Sequence, residues 1–221
     1  MDIKSIISLV IGILMAIVGL YVFIRNPKAR INKAFGFLVL ILVLWVAGNI
    51  VTSEVNDVKM ASIWAKYIFS VALFLPITII YFSWVFPYES KQVKKRDAFL
   101  LLIPVVLVFI TLTTNFVVKG LDGIGWHANT IFGSGLYLYI LIFLGYWVWA
   151  IVNLVNKLNK SDGIHRWQLK NILWGIIPTS VIGIVSSLIL PLYGNQNFIW
   201  LTLAALFIFI FFTSYIIFKK P

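Results

Sequence analysis

Residues 25–35 read RNPKARINKAF, and they separate two runs, 5–24 and 34–47, that contain no charged residue. Proline cannot donate to a helical ladder, so Asn26-Pro27 marks the end of one helix. Arg25, Lys28, Arg30 and Lys33 are the residues that hold a chain at the lipid headgroups as it leaves hydrocarbon. The stretch therefore reads as a short loop joining two membrane helices, and the rest of the sequence can be tested for the same pattern.

Composition agrees. Of 221 residues, 62% are hydrophobic and 11% charged, with a mean hydropathy of +1.01, more apolar surface than one soluble core can hide. The net charge of +11 sits in short clusters between apolar runs, not on one solvated face, which argues against a nucleic-acid partner. With no cysteine, disulfides and thiolate metal or redox sites are excluded.

Crossing a hydrocarbon layer of roughly 30 Å takes about 20 helical residues. Seven segments meet that length, near 5–25, 34–52, 61–86, 98–118, 135–156, 171–191 and 198–218. Their apolar runs are continuous, which in lipid requires helices, each satisfying its own backbone groups. The first is too long and lacks the small-residue cleavage site of a signal peptide, so it is expected to be retained. The expectation is an all-α integral membrane protein, one seven-helix transmembrane domain over 1–221.

Orientation follows from the cations. Fourteen fall on one side: Arg25, Lys28, Arg30, Lys33, Lys91, Lys94, Lys95, Arg96, Lys157, Lys160, Arg166, Lys170, Lys219 and Lys220. Only Lys4, Lys59, Lys66 and Lys119 fall on the other. That asymmetry predicts the N-terminus outside and the C-terminus inside, in a multi-pass membrane protein. Trp64, Trp126, Tyr193 and Trp200 then lie at outer ends, and Trp84, Tyr88, Trp147, Trp149, Trp167 and Trp174 at or near inner ends, as interfacial aromatic belts do.

Chemistry inside the membrane needs groups that change charge at mid-depth. All seven acidic residues lie in loops or at helix ends. His127 and His165 belong to loops on opposite sides, so they cannot share a metal, and neither reaches a serine at membrane depth. The last span holds no lysine for a retinal Schiff base, and the mid-helix prolines Pro76, Pro104 and Pro178 do not fall where small sugar carriers hinge. No catalytic residue, metal or cofactor is expected, and the chain is not expected to be an enzyme.

Polar and aromatic residues do cluster at outer depth. Trp45, Asn49, Glu54, Lys66 and Tyr67 on the second and third spans, with Trp126 and His127 in the loop KGLDGIGWHANTIFG above them, form a candidate pocket for a small molecule or peptide. Lys66 either snorkels to the surface or pairs with Glu54 as a charged wall; Trp45 either packs or lines the cavity. On the sixth span Gly175, Thr179, Gly183 and Ser187 recur every four residues, a stripe suited to packing against a sibling helix or to a homodimer seam. Pro178 is a candidate hinge, with the Thr179 hydroxyl answering a freed carbonyl.

Arg25-Asn26-Pro27, then Arg30, Asn32 and Phe35, Trp45, Phe82 with Phe86-Pro87, Arg166 and Gln168, and Leu190-Pro191 with Gly194 run along nearly the whole chain in an order that resembles the N-terminal seven-transmembrane sensor region of bacterial histidine kinases. The resemblance implies a receptor of two-component-type signalling, in a bacterial or archaeal cytoplasmic membrane, that relays an extracellular or membrane-borne signal through its last helix to a cytoplasmic kinase or partner. The chain ends at FKKP without phosphoacceptor or ATP-binding sequence, so any kinase would reside elsewhere. The lipid bilayer and a signalling partner are the expected companions. The other class the residues allow is a small transporter or channel for a neutral solute.

Overall fold

The computed structural model describes residues 1–89 and 95–218. Among the cations counted above, Lys91, Lys94, Lys219 and Lys220, with the side chains of Lys95 and Arg96, lie outside the described residues.

The chain forms helices α1 (Ile3–Arg25), α2 (Arg30–Glu54), α3 (Val58–Ala72), α4 (Phe74–Val85) and α5 (Lys95–Thr113), then strands β1 (Val118–Asp122) and β2 (Asn129–Phe132), then α6 (Leu136–Leu158), α7 (Gly163–Ile184), α8 (Leu190–Leu192) and α9 (Ile199–Phe218). Among the described residues six helical stretches are long and apolar enough to cross a membrane, α3 with α4 and α7 through α8 each counting as one. The apolar part of α5, Phe99–Thr113, is shorter. The passes alternate in direction, so the bundle has a hairpin end, holding β1–β2 and the N-terminus, and an opposite end at Lys157 and Phe218.

Helices α1, α2, α6 and α9 lie within four residues of segments expected from hydropathy; three other stretches differ for identifiable reasons. The segment expected at 61–86 is divided at Leu73, because Pro76 has no N–H to return to Ala72, the last residue of α3. The helix expected over 98–118 ends at Thr113; Thr111, Thr113 and Thr114 turn their hydroxyls back onto the carbonyls of Leu107, Phe109 and Ile110, and the chain then enters β1. The span expected from 171 is already helical at Gly163. The loop expected to cap the pocket is an antiparallel hairpin, paired Leu121 with Thr130 and Asp122 with Asn129, so the fold is helical with one small sheet. Ser62 of α3 seats it, accepting a hydrogen bond from the Leu121 N–H at 2.9 Å.

Helix α2 is central: Phe35, Leu38, Val39, Leu42, Trp45 and Val46 are all buried. It packs on α1, α3 and α4, while α9 closes the bundle between α1 and α7. Helix α1 meets α2 through Ser5, Ser8, Gly12, Met15, Gly19 and Val22, a stripe at spacings of three and four along an otherwise exposed helix. A Cβ on Gly19 would lie 2.6 Å from Val39 Cγ1, so glycine is what permits this approach. At the opposite end the rings of Phe82 and Phe86 stack at 5.0 Å, and both side chains are fully buried with Phe35.

Candidate functional site

A cavity of about 150 Å³ opens between α2, α3, α6, α7 and α9 and is roofed by the hairpin. Helix α2 supplies Trp45, Asn49, Thr52 and Ser53 to its wall at intervals of three and four, one face of the helix. Tyr139, Phe143 and Trp147 follow from α6 by the same geometry, stacked in series with parallel ring pairs at 6.2 and 5.9 Å. Below it a void of about 20 Å³ continues among Leu38, Leu42, Ile79 and Phe209.

The roof is tied down by side-chain hydrogen bonds. The Trp126 indole donates to Ser5 Oγ at 2.9 Å, and the Ser5 and Ser53 hydroxyls meet at 3.2 Å, linking hairpin, α1 and α2. Gln196 Nε2 donates to Thr130 Oγ1 at 2.8 Å, joining the α8–α9 connection to β2. The N-terminal ammonium lies 3.4 Å from the Glu54 carboxylate, and the Asp2 N–H donates to the same group at 3.2 Å.

The wall opposite α2 is made by an irregular turn. Residues Val185–Ile189 follow π-helical geometry, with the Leu190 N–H returning to Val185 O, next to Pro191, which has no N–H to give. The widened turn brings two consecutive serines, Ser186 and Ser187, to the single hydroxyl of Thr202 on α9. Helix α7 itself runs unbroken through Pro178; the irregularity of this span is the π turn, and Ser180, not Thr179, returns its hydroxyl to a backbone carbonyl, that of Ile176.

Trp45, Asn49 and Trp126 line the cavity, and Trp126 is buried where an interfacial position was expected. The structure does not bring Glu54, Lys66, Tyr67 or His127 to it. Lys66 donates to Asn115 Oδ1 at 2.7 Å, and Glu54 serves the N-terminus, so of the two alternatives for Lys66 the pair with Glu54 is not formed among the described residues; each has a nearer partner. Tyr67 packs on Gly48 of α2, and His127 is exposed in the turn between the strands. In the stripe on α7, Thr179, Gly183 and Ser187 face the cavity and Gly175 meets Phe209 of α9, so it points into this chain and offers no outward seam. Thr52, Ser53, Gln196 and Thr202 also belong to the wall; their only signal in the sequence is that hydroxyl and amide residues gather at the hairpin ends of α2 and α9 and in the connection before α9.

Lys157 also departs from its expected place. It was counted among loop cations, yet it is buried at the end of α6, where its ammonium donates to the carbonyls of Trp84, Phe86 and Tyr88 at 3.0, 2.6 and 2.8 Å. It caps the C-terminus of α4, answering carbonyls that the end of a helix leaves open. Trp84 is likewise buried, edge-on to Trp149 at 6.0 Å, instead of lying in a belt.

The family model described as the N-terminal 7TM region of histidine kinase matches residues 7–220. The chain belongs to that family. It is a multi-pass membrane protein and a sensor region, and because this region accounts for nearly the whole of the sequence, the 221 residues contain no kinase catalytic domain. No curated protein and no solved structure matches this chain.

Proposed function

We propose that this 7TM region is the receptor of a two-component-type signalling system, with the hairpin end outside the cell, the Lys157 end in the cytoplasm, and the cavity under the hairpin as the place where a signal is received. The cation asymmetry of the sequence supports the orientation, since the loops at the hairpin end carry few Lys or Arg. The observation that carries the reading is that α9 forms part of the cavity wall. Ile199, Thr202 and Leu206 line it, and the same helix continues to Phe218, about 24 Å beyond Thr202 at 1.5 Å per residue.

A ligand that favours one arrangement of α7 and α9 would therefore shift the far end of α9, where the Arg25 guanidinium lies 4.3 Å from the Phe218 ring. A cytoplasmic kinase or signalling partner would read that shift. Solute transport is the weaker reading, because the void beneath the cavity has room for about one water and is walled by Leu38, Leu42, Ile79 and Phe209.

The absence of cysteine permits a direct test. Nitroxides on Lys160→Cys and Tyr215→Cys report the α9 position in nanodiscs, and Gly183→Leu partly fills the cavity against Thr202. The reading predicts a changed distance distribution for Gly183→Leu and an unchanged one for Val181→Leu on the exposed face of the same helix. Identical distributions in all three proteins would defeat it.

A further inference from the structure

The chemistry of the cavity wall restricts what can enter. Among the described residues no acidic, basic or histidine residue lines it, so an ionised ligand would lose its hydration without meeting a counter-charge. Its volume of about 150 Å³ is the size at which an apolar cavity takes up benzene. Trp45, Phe143 and Trp147 offer flat aromatic surface at its depth.

The protons of the wall can be followed one by one, because a hydroxyl has a single hydrogen to donate. Ser186 donates to Ile182 O, so Thr202 must donate to Ser186, and Ser187 in turn to Thr202. Ser187 is left with open lone pairs. Thr52, Ser53 and Ser180 give their protons to the carbonyls of Gly48, Ile50 and Ile176. Asn49, 7% exposed, donates through Nδ2 to Trp45 O at 2.8 Å, and its Oδ1 has no partner among the described residues. One turn away, the indole N–H of Trp45, a residue 6% exposed, also has no partner among the described residues. What the wall lacks is a group that donates to its acceptors; the Trp45 indole and the hydroxyls of Thr130 and Thr179, whose protons have no acceptor among the described residues, can in turn donate to such a group.

We propose that the cavity binds a neutral molecule of one or two rings bearing a hydroxyl, the ring against Trp45, Phe143 and Trp147 and the hydroxyl donating to Asn49 Oδ1 or Ser187 Oγ. As a signal, such a ligand rests on the receptor reading above; as a binding event it stands by itself.

The test is fluorine NMR of the whole chain in nanodiscs, corrected with empty nanodiscs, using 4-fluorophenol, 4-fluoroanisole, 4-fluorotoluene and 4-fluorobenzoate as probes. The expected result is saturable binding of 4-fluorophenol about tenfold tighter than of the toluene, the worth of one or two hydrogen bonds. The anisole, which accepts but cannot donate to Asn49 or Ser187, should bind more weakly than the phenol, and the benzoate should not saturate. Asn49→Leu should abolish the preference for the phenol, with toluene that still saturates reporting that the cavity is folded; Ser187→Ala should reduce the preference about threefold. Equal affinity for phenol and toluene, saturation by the benzoate, or a preference that survives both substitutions overturns the proposal. If the preference is absent but Gly183→Leu still moves the nitroxide pair, the ligand class fails and the receptor reading stands. If the phenol binds as expected and occupancy leaves the pair unmoved, the receptor reading fails and the ligand class stands.

Discussion

At the Lys157 end a buried ammonium meets the carbonyls around it, whereas at the hairpin end polar groups surround a void. Lys157 has three N–H donors and meets three carbonyls, those of Trp84, Phe86 and Tyr88, beside the stacked rings of Phe82 and Phe86. Around the cavity the hydroxyl protons of Thr52, Ser53, Ser180, Ser186, Ser187 and Thr202 are committed to the protein, but lone pairs on Ser187 and Asn49 stay open. In an apolar environment the first arrangement fixes two helices to each other and the second leaves a site to be completed by something else. A membrane bundle that is rigid at one end and incomplete at the other suits a receptor better than a carrier, which would have to open at both.

The largest effect should come from the rigid end. Lys157→Met keeps the bulk of the side chain but strips three carbonyls of their donor, and a loss of roughly 3 kcal/mol is expected in reversible unfolding in bicelles. A loss below about 1 kcal/mol would mean that α4 is capped in some other way, and the contrast between the ends would weaken. Next, Gly19→Ile should wedge α1 from α2 at a cost of about 1–3 kcal/mol, since its Cβ would sit 2.6 Å from Val39 Cγ1. Gly145→Ala, with nothing within 4 Å of the added methyl, should cost nothing in the same assay.

The membrane helices were legible because length and apolarity suffice to recognise them, and the cation loops separate them. Trp45 and Asn49 were legible too, as an aromatic and an amide one turn apart inside an apolar run. Lys157 was not, because a lysine in the last turn of a helix reads as an interfacial cation unless the open carbonyls of α4 are seen beside it. Nor could the Thr202 side of the cavity be read, since it depends on which face of α9 packs on α7. The stripe Ser5, Ser8, Gly12 and Gly19 is a different matter: its spacing was present in the sequence, and the expectation went to the α7 stripe, which turned out to face the cavity. The hairpin also left marks, with Gly123 and Gly125 at positive φ between its strands.

Smaller effects sharpen the picture at the hairpin end. Trp126→Phe keeps the roof's ring but removes the donor to Ser5, and should cost about 1 kcal/mol. Lys66→Ala, whose contact to Asn115 is solvent-exposed and away from the cavity, should stay within about 0.5 kcal/mol and leave binding of cavity probes unchanged.

Hydrogen–deuterium exchange of the whole chain in nanodiscs bears most directly on the contrast between the two ends. Amides of 183–192, around the π turn and the cavity wall, should exchange at least about tenfold faster than those of 78–86, at the end of α4 held by Lys157. Equal protection of the two segments, or faster exchange at 78–86, would contradict the division into a fixed end and a receptive one.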